Sequence, residues 1–104
     1  MATRPMRIRA VEKDGVTEVK VLMSHIMETG QRKGSDGKIV PAHFIDVVEA
    51  KRNDKTVLNA QWGPAVSRDP FLSFKFKGGN KGDPITIAWK DNEGASRTDT
   101  TEIR

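Results

Sequence analysis

The chain reads as an all-β protein, an antiparallel sandwich of about seven strands. Three observations predict this. Apolar and polar residues alternate with period two through Phe71–Lys77 and again through Pro84–Lys90, the pattern of half-buried strands. Two-residue turn signals, Asp14-Gly15 and Asn53-Asp54, each separate a pair of further strand-like stretches. Almost nothing carries the 3.6-residue period of a helix. The regular turn spacing makes the expected sandwich immunoglobulin-like, with a small barrel as the structural alternative.

Taken in order, Met6–Glu12 and Val16–Met23 flank Asp14-Gly15. Folding about that turn sets Ala10 opposite Val19, Ile8 opposite Val21 and Met6 opposite Met23. Arg7, Arg9, Glu18 and Lys20 fall on the other face, so one side of the hairpin is apolar and the other wet. Ser24–Ala42 breaks the alternation. Its glycines predict a long loop, with a helical turn over Met23–Gly30 and a short strand at Lys38–Val40.

His43–Arg52 and Lys55–Trp62 flank Asn53-Asp54. A tight turn there pairs Ile45 with Trp62, Val47 with Ala60 and Glu49 with Leu58, and sends those residues to the core. Phe44, Val48, Ala50 and Val57 are then left on the outer face, which is unusually apolar for a solvated sheet. Gly63–Pro70, bounded by prolines, reads as an edge or a connection between sheets. It leads into Phe71–Lys77 and Pro84–Lys90, which the alternation pairs as a hairpin: Phe76 with Ile85, Phe74 with Ile87, Leu72 with Trp89. A final polar strand, Ser96–Ile103, has one large apolar residue and belongs at an edge.

A chain of 104 residues is one domain, residues 1–104. It holds no cysteine, which removes disulfides, thiolate metal sites and covalent chemistry on a thiol of its own. The net charge of +4 is spread through interleaved acids and bases, so nucleic-acid binding is permitted but not implied. No apolar run is long enough to span a bilayer, and the N-terminus lacks the apolar core of a signal peptide. Taken alone, that points to the cytoplasm.

A catalytic set is hard to assemble from these residues. Met23, His25 and Met27 have the spacing of a thioether and imidazole copper site, but methionines filling a core beside a surface histidine account for it better. His43 reads as an ordinary edge residue, and Asp83, Asp91 and Asp99 as solvated carboxylates. The Gly78–Gly82 loop has no helix behind it and so lacks the aligned amides of a phosphate cradle. Lys75, Lys77 and Lys90 with Phe71 would make a basic strip for single-stranded nucleic acid or an acidic partner, though a solvated strand face explains them better. The apolar outer patch is the more informative feature. With His25 and Met27 from the adjacent loop, Phe44, Val48, Ala50 and Val57 form the expected partner interface, the alternative being that the Ser24–Ala42 loop folds over the patch within the chain. No catalytic residue, cofactor or metal ligand is expected.

Four separated motifs resemble the SoxZ family: Met23-Ser24-His25-Ile26-Met27-Glu28-Thr29-Gly30, Gly37–Ile45, Trp62–Ser67, and Pro70–Phe74 followed by Lys77-Gly78 and Gly82-Asp83. Ile26 departs from the family pattern, where proline follows the histidine. The resemblance implies an immunoglobulin-like, non-catalytic subunit of the SoxYZ sulfur carrier in thiosulfate oxidation. It implies a SoxY-like partner whose C-terminal cysteine bears the sulfur, and other Sox enzymes met through the complex. It implies neither nucleic acid nor membrane as a partner. Against the composition, it also implies a periplasmic location, reached by export with a signal-bearing partner. The alternatives from the residues themselves are a basic β-domain binding nucleic acid and a small Met/His metal-binding protein.

Overall fold

The computed structural model describes residues 3–104. Seven strands run in chain order: β1 (Arg7–Lys13), β2 (Val16–Leu22), β3 (Ile45–Arg52), β4 (Lys55–Gln61), β5 (Phe71–Lys77), β6 (Pro84–Asp91) and β7 (Ser96–Glu102). They form two antiparallel sheets, β1-β2-β5 and β4-β3-β6-β7. The three-plus-four division is the expected β-sandwich, with β1, β5, β4 and the polar β7 at the sheet edges. The inward faces of both sheets meet in one core. It is built from Ala10, Val19, Val21 and Met23 on one side and Val48, Ala50, Ile85, Ile87 and Trp89 on the other.

The β1–β2 hairpin has the expected register, with Ala10 opposite Val19 and Ile8 opposite Val21. Asp14 and Gly15 both take positive φ, as a two-residue turn that matches strand twist demands.

The pairing expected for Phe71–Lys77 and Pro84–Lys90 is not formed. β5 instead pairs with β2, setting Phe74 opposite Val19 and Leu72 opposite Val21. β6 lies in the other sheet between β3 and β7. The predicted inward faces are right for both strands, because Leu72, Phe74 and Phe76 pack on the core from one sheet and Ile85, Ile87 and Trp89 from the other. Alternation specifies which face a strand buries but not which strand lies beside it. The same correction dissolves the basic strip, since Lys90 lies in the opposite sheet from Lys75 and Lys77, and Lys75 sits 3.7 Å from Glu18.

The Gly78–Asp83 loop crosses between the sheets. The Thr17 hydroxyl donates to the Gly78 carbonyl at 2.7 Å, and Gly82 N–H donates to the Ile103 carbonyl at 2.7 Å. Gly79 has φ +93, and a Cβ there would overlap the Thr17 side chain. Gly79→Ala is therefore expected to cost about 2 kcal/mol or more, through strain and the displaced Thr17 contact. Urea unfolding with an unchanged m-value checks this, and a loss below 0.5 kcal/mol would show that the loop relaxes freely.

β3 and β4 follow the expected register only beside their turn, where Arg52 opposes Lys55 and Lys51 opposes Thr56. An irregularity between Ala50 and Lys51 then shifts the pairing by one, so Val48 meets Ala60 and Ala50 meets Leu58. A second irregularity, between Ile45 and Val47, lies against β6. An extra residue in one strand turns every later side chain to the opposite face. Ile45 still points inward, but Val48 and Ala50 do too, and both are 0% exposed. The apolar outer patch is thereby removed.

The Ser24–Ala42 segment is a loop as expected, without a helical turn at its start. It folds into an irregular ribbon through bridges Glu28–His43 and Lys33–Ile39. The Glu28 and His43 backbones exchange hydrogen bonds of 2.7 and 3.0 Å.

Candidate functional site

At one end of the sandwich three buried titratable side chains converge. Asp91 is the last residue of β6 and pairs with Ile45, the first of β3. His43 lies two residues before Ile45. Its segment is clamped to the β6 end by Asn92, whose side chain accepts from Phe44 N–H at 2.8 Å and donates to the Ala42 carbonyl at 2.9 Å. His25 arrives from the other sheet, just past β2. Asp69 fastens it there, with His25 N–H donating to Asp69 Oδ1 at 3.1 Å and Asp69 N–H to the His25 carbonyl at 2.9 Å. Met27 and Asp69 both carry positive φ beside this junction, a conformation that persists only where surrounding contacts impose it.

Asp91 is 2% exposed and uses both oxygens. Oδ1 accepts the N–H groups of Glu93 and Ala95 at 3.0 and 2.9 Å. Oδ2 lies 3.0 Å from His25 Nε2 and 2.7 Å from His43 Nε2. The imidazole rings meet edge to face at 4.7 Å, and His25 packs the same way on Trp89 at 5.3 Å. Burial acts to raise the Asp91 carboxyl. The bonds from His25 and His43, and then from the Ala95 and Glu93 N–H groups, outweigh it and hold the group below its ordinary value.

The hydrogen bonds assign the tautomers. Met27 N–H donates to His25 Nδ1 at 3.1 Å, so that nitrogen must be an acceptor. The ring proton of neutral His25 therefore sits on Nε2 and points at Asp91. His43 Nε2 must also donate, because an ionised carboxylate only accepts. His43 Nδ1 is 3.7 Å from Glu93 Oε2, beyond hydrogen-bond reach.

These assignments decide what the triad can do. His25, His43 and Asp91 each present a donor atom within 4.8 Å of the others, the spacing of a metal site. A metal at Nε2 needs a lone pair there, with the ring proton on Nδ1 given to an acceptor. His25 has the reverse arrangement, and without it only two ligands remain. Ser24 lines the same cleft, yet among the described residues no hydrogen bond joins it to either imidazole. His25 has no free nitrogen to serve as its base, so the geometry is not that of a nucleophilic triad. The arrangement is a charge-assisted hydrogen-bond network that ties the two sheets together.

Above it opens a cleft of about 340 Å³, lined by Arg4, Arg68, Ile26 and Trp89 together with the triad.

The residues expected to form a partner interface are dispersed. Val48 and Ala50 lie in the core, and Met27, 6% exposed, packs with them while its Sδ accepts Ile45 N–H at 3.3 Å. Phe44 and Val57 are half-buried against the core. His25 forms the cleft floor and is buried, not a surface histidine. The donor atoms of the Met23, His25 and Met27 spacing are otherwise committed, because both His25 ring nitrogens and the Met27 sulfur already take part in hydrogen bonds. His43 and Asp91 are buried partners and not solvated edge groups. Asp83 and Asp99 are engaged as well, Asp83 with Arg52 at 2.9 Å and Asp99 with Arg97 at 2.8 Å.

No local spacing announces the triad. Its members are 48 and 66 residues apart along the chain for the two bonds to Asp91. The one local cue is Asp91 at the start of Asp91-Asn92-Glu93-Gly94, where an aspartate typically caps its own turn.

No curated protein matches the chain. The family described as Sulphur oxidation protein SoxZ matches residues 6–102, nearly the whole length. That match, spanning both sheets, establishes that the chain belongs to the SoxZ family and serves the Sox system of sulfur oxidation.

Proposed function

We propose that this chain is the non-catalytic scaffold subunit of a two-chain sulfur carrier in thiosulfate oxidation. Its partner is a SoxY-like chain whose C-terminal cysteine holds the sulfur intermediates while other Sox enzymes act on them. The observation that carries this reading is family membership in a chain without a cysteine, which has no thiol on which to hold sulfur. The two histidines support it, because both are committed to Asp91 and neither is poised on a nucleophile. The proposed location is the periplasm, reached by export with a signal-bearing partner.

The docking surface we assign to that partner is the outer face of β1-β2-β5. Phe71 is 62% exposed and Leu22, directly opposite it in register, 42% exposed. Arg7, Arg9 and Lys20 surround them in a shallow depression. An apolar centre with a basic rim suits a partner presenting apolar residues within an acidic surround.

Co-expression with a cysteine-tailed partner, followed by size exclusion with mass measurement, tests the reading. A heterodimer is expected, and Phe71→Glu is expected to weaken it by about 2 kcal/mol or more, roughly thirtyfold. A chain that stays alone beside its partner would overturn the carrier reading. A heterodimer indifferent to Phe71→Glu would overturn only the choice of face.

A further inference from the structure

We propose that the cleft above His25, His43 and Asp91 is a binding pocket for a small sulfur oxyanion, either free or as the terminal group of a longer chain. The argument starts from charge. Arg4 and Arg68 are exposed on the cleft, and among the described residues neither has a carboxylate within ion-pair distance. Of the acidic groups nearby, Asp91 and Glu28 are already engaged, and Asp69 uses one of its two oxygens. Asp91 is saturated by four donors. Asp69 accepts the His25 N–H through Oδ1. Glu28, which lies in the field of Arg68, is held by three hydrogen bonds from Arg32 at 2.7 to 3.1 Å. Among the described residues, two arginines therefore line the cleft without a carboxylate in ion-pair distance, and guanidinium is the side chain suited to forked recognition of oxyanions.

The buried wall supplies the second observation. Trp89 lines the cleft and is 3% exposed, yet its indole N–H has no acceptor. An orphaned buried donor is uncommon and calls for a partner. Two arginines and an unpaired indole N–H thus give the cleft donors that an oxyanion could accept from.

Size and surroundings narrow the ligand. A volume of about 340 Å³ lies at the small end of ligand pockets and leaves room for more than a bare ion. Ile26, Ala95 and the Trp89 ring give it an apolar flank for a substituent. Membership of a sulfur-oxidation family makes a sulfur oxyanion the class to test first. Binding by this chain alone would stand whether or not a cysteine-bearing partner delivers the group, so this inference and the carrier reading fail separately.

The chain has two tryptophans, and Trp62→Phe leaves Trp89 as the sole fluorophore. The full chain in that background is titrated with thiosulfate, sulfate, acetate and chloride at matched ionic strength. The expected result is a saturable change in Trp89 emission with thiosulfate and sulfate and none with chloride. Affinity is expected to fall at least tenfold in Arg68→Ala and in Arg4→Ala, with the urea midpoint unchanged. S-sulfocysteine is the second arm: tighter binding than free thiosulfate assigns the pocket to a covalently carried group, and weaker binding assigns it to the free ion. Equal responses to acetate and thiosulfate, saturation that survives loss of both arginines, or no saturable response would overturn the proposal.

Discussion

Replacing Asp91 by asparagine is expected to destabilise the fold by about 3–5 kcal/mol, the scale seen when one member of a buried charged network is removed. Two backbone N–H groups and two imidazole N–H groups converge on this carboxylate. Asparagine keeps the shape and one acceptor. Its amide hydrogens, however, would face the imidazole protons at 2.7 and 3.0 Å. Since a domain of this size has roughly 5–15 kcal/mol to lose, the variant should unfold well below the parent in urea.

The pH dependence separates this from a packing defect. The folded-state value of Asp91 lies below its ordinary one. Such a group contributes stability in full above the unfolded-state value, about 3.9, and loses it as pH falls through the lower folded-state value. The gap between parent and Asp91→Asn should be constant near neutrality and close progressively below about pH 4. A gap independent of pH would mean that the ionised carboxylate is not what holds the site together. A variant as stable as the parent at pH 7 would remove the network from the account altogether.

Val48→Asp should be nearly as damaging, and Val47→Asp should not. Val48 is 0% exposed and faces the core, whereas Val47 is half-buried and outside the core cluster. A carboxylate at Val48 has no partner in an apolar interior and is expected to cost about 3–5 kcal/mol. At Val47 the expected cost is about 1 kcal/mol or less, since the charge reaches water. Melting curves of the two variants measured together decide the register. The turn signal Asn53-Asp54 by itself predicts the opposite ranking, because it places Val47 inside and Val48 outside. If Val47→Asp proved the more harmful, the irregularities in β3 and β4 would be wrongly placed.

Local chemistry carried a large part of this structure. Asp14-Gly15 forces a tight reversal, and from it the register of β1 on β2 follows residue by residue. The period-two pattern named the inward faces of β5 and β6 correctly. Four separated motifs sufficed to place the chain in its family, and the absence of cysteine excluded thiol chemistry outright.

Partner choice was another matter. A strand's alternation is satisfied equally by a neighbour in its own sheet and by a core shared with the facing sheet, so β5 and β6 could be read as a hairpin when they lie in different sheets. Two one-residue irregularities around β3 moved Val48 and Ala50 from an imagined docking face into the interior. The same long-range pairing brought His25, His43 and Asp91 onto one another from three distant stretches. The amino-acid sequence determined the strands, the oily sides of those without irregularities and the family. Only the tertiary structure decided neighbours, bulges and the buried triad, because those are settled by packing summed over the whole core and not by any short run of residues.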